Sequence, residues 1–133
     1  MAKKAAPVMQ DIWLLILRVV VSGSMLTHGI PKFLNLIQGK FQFPDPFGMG
    51  SELSLILVVG AEFFCSILVL LGILTRWASL PILFTMFIAV FFIHNNDPFQ
   101  AKELAMLYLL LFGTISVFGS GNYALGKLLG NKN

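Results

Sequence analysis

Four stretches of about 20 mostly apolar residues run through this chain, each long enough to cross about 30 Å of hydrocarbon at about 1.5 Å per helical residue. They extend from about Ile12 to Leu34, Leu53 to Leu74, Trp77 to Asn95 and Leu104 to Phe118. A water-facing surface is hard to assemble from the remainder. Only 11% of the 133 residues are Asp, Glu, Lys or Arg, whereas soluble domains carry about 25%. Runs such as Leu53-Ser-Leu-Ile-Leu-Val-Val59 are continuously apolar rather than alternating, which argues against a membrane β-barrel. The expected fold is an all-α integral membrane protein, a four-transmembrane-helix bundle forming a single domain over residues 1–133.

Turn-forming residues fall between these stretches. Pro44, Pro46, Gly48 and Gly50 separate the first span from the second, Asp97-Pro98 the third from the fourth, and Gly119-Ser-Gly121 follows the fourth. Pro31 is expected to bend the outer end of the first span, and Pro81 to sit about one turn into the third, where a missing N–H costs little. A cleaved signal peptide is disfavoured because Arg18 splits the apolar run and Asp11 precedes it, so the first span is expected to be retained. With four spans both ends share a face. That face collects Lys3, Lys4, Arg76, Lys127 and Lys132, against Lys32, Lys40 and Lys102 on the other, which favours cytoplasmic termini.

The net charge of +3 is spread thinly, with no basic run longer than Lys3-Lys4, so a nucleic-acid partner is not expected. The single cysteine, Cys65, excludes an internal disulfide and a CxxC redox pair within these residues. No phosphate loop, nucleophile elbow or haem-attachment motif occurs. What remains is a set of polar residues inside or bordering the spans.

Arg18 stands about 10 Å into the first span, where an Arg costs about 2.5–3.5 kcal/mol unless it faces protein. Glu62 is the one acidic residue deep in any span, so Arg18 and Glu62 are expected to form a buried charge pair. His28 and Lys32 share a face of the first helix near its outer end, and His94 closes the third span on the same side. Glu52 and Glu103 open the second and fourth spans there. Together these residues would form a polar layer at the outer interface, although Lys32 alone reads as a snorkelling side chain and Glu103 as a complement to its own helix dipole. The histidines lack HxxxH or HExxH spacing, so no metal site is expected. Phe84, Phe87, Phe91 and Phe92 could form a stacking slot for a flat ring but are expected rather to face lipid, and Phe41-Gln-Phe-Pro-Asp-Pro-Phe-Gly-Met49 is expected to dip into the interface, where it could act as a lid.

Several of these residues also carry a resemblance. Leu14-Leu-Ile-Leu-Arg18, His28-Gly-Ile-Pro-Lys32-Phe33, Glu62-Phe63, Leu70-Leu-Gly-Ile-Leu-Thr-Arg76, His94, Glu103-Leu-Ala-Met-Leu-Tyr108 and Gly119-Ser-Gly-Asn-Tyr-Ala-Leu125 occur in order. In that order the chain resembles the DoxX family of small four-span membrane proteins over nearly its whole length. The resemblance implies a multi-pass protein of the bacterial inner membrane, in the group that includes the DoxD subunit of thiosulfate:quinone oxidoreductase. It implies a quinone as lipid-soluble ligand and other subunits of a membrane oxidoreductase as partners. His28, Lys32, Glu62 and His94 are then the expected ligand-binding groups. The chain has no soluble domain like the DoxA partner subunit, and one cysteine is too few for a thiol relay. A different class of function is a non-catalytic bundle that anchors, transports for or stabilises a partner protein.

Overall fold

The protein's structure is a computed structural model that describes residues 5–130, with side chains from Val8 onward. Its helices are α1 (Ala5–Ile37), α2 (Ser51–Leu71), α3 (Thr75–Ile93), α4 (Phe99–Phe118) and the short α5 (Leu125–Leu128). The first four are long and apolar enough to span a bilayer, and the molecule is a multi-pass all-α membrane protein. Their order follows from the sequence: long apolar runs satisfy every backbone group internally, and the breakers fall between them. The ends of α1 and α4 near Asp11 and Ser120 share one face, called here the terminal face; the segments 38–50 and 94–98 lie on the opposite, loop face. Lys3, Lys4 and Lys132, which entered the charge asymmetry, lie outside the described residues.

Two helices run longer than their apolar stretches, and the other two are shifted by about two residues. α1 continues through Pro31 to Ile37, and α4 starts at Phe99, so Glu103 lies inside it rather than at its start. α3 begins at Thr75, which puts Pro81 in the helix interior rather than its opening turn. Leu74 and Gly72 both adopt positive φ between α2 and α3, making that connection a tight reversal.

Lipid-facing and core-facing residues divide as a bilayer requires. Trp13 and Trp77 are exposed near the terminal face, as amphipathic rings at a membrane–water boundary are. Phe84, Phe87, Phe91 and Phe92 are all exposed, in accord with lipid-facing rings. The core is Leu17, Val21, Met25, Val69, Ile82, Met86, Phe112 and Ile115, drawn from all four spans.

Two close approaches fix the register of α1 against α2. A Cβ on Gly29 would lie 2.5 Å from the Glu62 carbonyl oxygen, so only glycine lets the helices meet there. Gly72, at φ 77°, packs so tightly on Ala124 and the Arg18 guanidinium that a Cβ would clash with both. Gly29 beside Glu62 and Arg18 beside Gly72 define one antiparallel pairing. In it Arg18 and Glu62 stand about 15 Å apart along the bundle, at about 1.5 Å per residue.

Both α2 and α3 contain a widened, π-helical turn, over Gly60–Cys65 and Ala89–Ile93 respectively. In the second, the His94 N–H donates to the Ala89 carbonyl, five residues back, at 2.9 Å. Such turns shift helical phase and recur at functional sites. One carries Glu62, and the other ends against His94.

Candidate functional site

A cavity of about 650 Å³ lies in the loop-face half of the bundle. All four spans line it. α1 gives Met25, His28 and Lys32; α2 gives Leu57, Ala61 and Glu62; α3 gives Phe84, Met86 and Ile88; and α4 gives Leu104 and Tyr108. The cavity thus gathers His28, Lys32, Glu62 and His94, four residues singled out from the sequence. Glu52 and Glu103, also on the loop face, are exposed and do not line it.

The buried charge is paired differently from expectation. Lys32 Nζ donates to Glu62 Oε1 at 2.7 Å and to Oε2 at 2.9 Å. Glu62 is 3% exposed, while Lys32 remains about one-third open. Lys32 reaches so deep because α1 extends to Ile37, which places it more than a helical turn inside the span. The ammonium also lies 5.9 Å from the centre of the Phe43 ring, within cation–π range.

Arg18 does not pair with Glu62, because the register set by Gly29 and Gly72 keeps them at different depths. Its guanidinium donates instead to the Ser120 carbonyl at 2.9 Å and the Tyr123 carbonyl at 3.1 Å. These carbonyls belong to the turn just beyond α4, where a helix C-terminus leaves acceptors without intrahelical donors and favours a cation. Asp11 supports the same turn, accepting from the Asn122 backbone N–H at 3.2 Å and its side-chain Nδ2 at 2.8 Å. Arg18 therefore ties the chain beyond α4 onto α1 and lies outside the cavity.

Within the cavity His28 meets Tyr108 edge to face, with ring centres 5.7 Å apart. Tyr108 was not singled out as a site residue, although it stood in one of the family-like motifs; its signal was a phenol in an otherwise apolar helix, whose hydroxyl needs a polar setting when buried. His94 lines the cavity from its loop-face edge and shares a 2.8 Å contact between its Nδ1 and Asp97 Oδ2. Among the described residues, no three of His, Cys, Asp and Glu come together as a metal site would require.

Phe43, Pro44, Pro46, Phe47 and Met49 roof the cavity. Phe47 leans on Phe92 of α3, ring centres 5.4 Å apart, so the roof reaches from the start of α2 across to α3. Asp45 organises it. The carboxylate accepts from the Gly50 N–H at 2.8 Å, the Met49 N–H at 3.0 Å and the Ser54 hydroxyl at 3.1 Å. The Gly50 amide chiefly, with help from Met49, Ser54 and Gly48, holds the Asp45 carboxyl below the usual carboxylate range despite some lost hydration. A depressed folded-state pKa stabilises the roof at pH above the unfolded value, about 3.9, and that stabilisation is lost as pH falls through the lower folded value. Amide exchange over residues 45–50 is therefore expected to stay slow from neutral pH to about 4, after allowance for the intrinsic exchange rate, and to quicken only below it. Asp45→Ala should exchange fast throughout; a roof equally protected in that variant would show that the carboxylate does not hold it.

The cavity has a side opening. α2 and α3 pack together from Gly60 towards the terminal face, but the Ser51–Val59 segment of α2 makes almost no contact with α3. The helices part on the loop-face half, and the cavity-lining residues Leu57 and Phe84, 54% and 64% exposed, flank the gap. The gap lies between two helices whose length and apolar composition suit a bilayer.

No solved structure matches the chain. It is 35% identical over 125 residues to an uncharacterized protein of Haemophilus influenzae, an alignment covering 85% of this chain and 87% of that one. Residues 13–95, which include α2, most of α1, the roof and α3, match the model of the DoxX family. This four-span chain, with its roofed cavity and its Lys32–Glu62 pair, belongs to the DoxX family.

Proposed function

We propose that the cavity binds the headgroup of a lipid-soluble quinone and that the protein is a membrane subunit of a quinone-linked oxidoreductase in the bacterial inner membrane, its termini cytoplasmic. The observation that carries this reading is the side opening between α2 and α3. A ligand with an isoprenoid tail enters from hydrocarbon, and a cavity that opens sideways between spans admits the head while the tail stays in lipid.

The residues present fit such a group. A volume of about 650 Å³ holds a substituted ring and the start of its tail, within the usual range of about 300–1,000 Å³ for ligand sites. Phe84, Leu57 and Met86 offer apolar walls to the ring. Its two carbonyl oxygens need donors on opposite sides; the Tyr108 hydroxyl and His28 provide them at the inner end, and His94 at the loop-face edge. A bound quinone supplies two-electron, two-proton chemistry, and a partner subunit bearing a redox centre supplies the electrons. The chain's own part is to bind, orient and hold protons. His28 and His94 offer imidazole nitrogens that can donate or accept a proton, and Glu62 holds a carboxylate beside the cavity.

Binding is the direct test. A fluorescent or radiolabelled quinone analogue should bind the purified protein saturably. His28→Ala and His94→Ala should each weaken it by about tenfold, the worth of one hydrogen bond of about 1–1.5 kcal/mol. Non-saturable uptake, or affinity unchanged by both substitutions, would leave the non-catalytic anchor as the better reading.

A further inference from the structure

Four buried polar atoms lie between the cavity and the terminal face with no hydrogen-bond partner among the described residues: Ser22 Oγ, Ser66 Oγ, Thr75 Oγ1 and Arg18 Nε. Ser22, Ser66 and Thr75 are 0% exposed and Arg18 3%. The helix that could satisfy them does not. A serine or threonine in a span ordinarily donates to the carbonyl four residues back, as Ser79 does to Thr75 at 2.5 Å and Thr114 to Leu110 at 3.0 Å. Buried polar atoms left over in this way are the usual ligands of internal water.

Their placement forms a line. Arg18 and Ser22 are one turn apart on the face of α1 that continues to Met25, Gly29 and Lys32, and this face packs on α2. By the register of Gly29 with Glu62 and of Arg18 with Gly72, Ser22 lies level with the stretch just beyond Ser66. Ser66 itself stands one turn from Glu62. Thr75 opens α3 three residues after Gly72, close in depth to Arg18. Counted along the helix axes, Arg18 to Ser22 and Ser66 to Glu62 are steps of about 6 Å and Ser22 to Ser66 one of about 4 Å, with Thr75 near the depth of Arg18; each step is no longer than two hydrogen bonds of about 2.8 Å through one water. The line starts at the Arg18–Ser120–Tyr123 clasp, near the terminal surface, and ends at a carboxylate that also borders the cavity.

We propose that Ser22, Ser66, Thr75 and Arg18 Nε hold a file of internal water molecules that carries protons between the terminal face and Glu62. Transfer along it balances simply. A proton enters the first water from the aqueous side, each water passes one proton on, and Glu62 Oε gains the last, loosening its bond to Lys32; the reverse sequence returns it. The titratable groups packed round Glu62 are Lys32 and His28 from α1 and Tyr108 from α4, while Arg76, the only charge on α3, lies at the terminal end. The file goes beyond the quinone reading, though it would supply protons to a quinone at the same carboxylate.

The experiment compares the wild-type protein with a variant carrying Ser22→Ala, Ser66→Ala and Thr75→Val. If waters bridge the hydroxyls, removing their anchors lowers the melting temperature in detergent by about 3 °C or more. If the hydroxyls are dry, removing them leaves it unchanged or raises it, which overturns the proposal. The second readout is hydrogen–deuterium exchange of the protonated Glu62 carboxyl, followed by infrared spectroscopy at acid pH and assigned by loss of the band in Glu62→Gln. Exchange is expected to slow by about tenfold or more in the variant, and Ser66→Thr with Thr75→Ser, which keep the hydroxyls, should restore the wild-type rate. An unchanged rate would mean that water reaches Glu62 through the cavity, and it too overturns the route. Ser66→Ala alone serves if the triple variant does not fold. Quinone-analogue affinity is expected to be unaffected by the triple substitution, so failure of binding in the wild type and failure of the water file are read separately.

Discussion

Lys32→Leu is expected to destabilise the folded protein by about 3–5 kcal/mol, the cost of stranding one member of a buried ion pair. The stranded member is Glu62, 3% exposed and fixed against Gly29, with no second cation within bonding distance among the described residues. Glu62→Leu should cost less. It leaves Lys32, which is already one-third open and can swing its ammonium towards the loop face along a flexible stem. The double variant Lys32→Leu/Glu62→Leu should recover most of the larger loss, because two apolar side chains suit the surroundings once neither charge is left alone. A double-mutant cycle on unfolding in mild detergent measures the coupling. Strong coupling between positions 18 and 62, with none between 32 and 62, would contradict the pairing seen here.

Arg18→Leu is expected to cost about 2–4 kcal/mol by a different route, since it removes two charge-assisted hydrogen bonds, one to a buried carbonyl and one to a part-buried carbonyl. The carbonyls of Ser120 and Tyr123 sit where the chain turns back beneath α4, and Asp11 then remains as a side-chain tether of that turn through Asn122. The effect should be local before it is global. Trypsin should cut after Lys127 faster than in the wild type, while the quinone-analogue affinity stays the same because Arg18 lies outside the cavity. Arg18→Lys, with a single point-like donor head in place of a two-armed guanidinium, should restore part of the protection. Unchanged cleavage in Arg18→Leu would show that the turn holds without it.

These two charges also show where sequence reasoning reaches its end. That Arg18 and Glu62 must be buried in protein followed from the cost of charge in hydrocarbon alone. Which cation meets Glu62 did not, since pairing depends on the relative axial position of two helices. Gly29 sets that position by meeting the α2 backbone and Gly72 by leaving room for Ala124 and the Arg18 guanidinium, and a glycine in a sequence does not announce what it will touch. The π-helical turn at Gly60–Cys65 adds a second obstacle, because a phase counted at 3.6 residues per turn fails across it.

The cavity was partly legible. His28, Lys32, Glu62 and His94 stood out because polar groups in apolar spans are costly and must face something other than lipid. Tyr108 was passed over as a site residue because one hydroxyl scarcely disturbs the hydropathy of a span. The proline- and phenylalanine-rich roof was recognised as a loop that dips into the interface, but the part of Asp45 in ordering it depends on backbone amides that curl round the carboxylate only once the chain has turned.

The sequence by itself determined that this chain crosses a membrane four times as helices, since backbone polarity in hydrocarbon leaves no other arrangement for four such apolar runs. It also determined which side chains have to avoid lipid. The tertiary structure alone decided that Lys32 rather than Arg18 neutralises Glu62, that Arg18 clasps the turn beyond α4, and that α2 and α3 part to open a cavity sideways. Those outcomes rest on axial register and helical phase, which long-range packing sets and no local run of residues encodes.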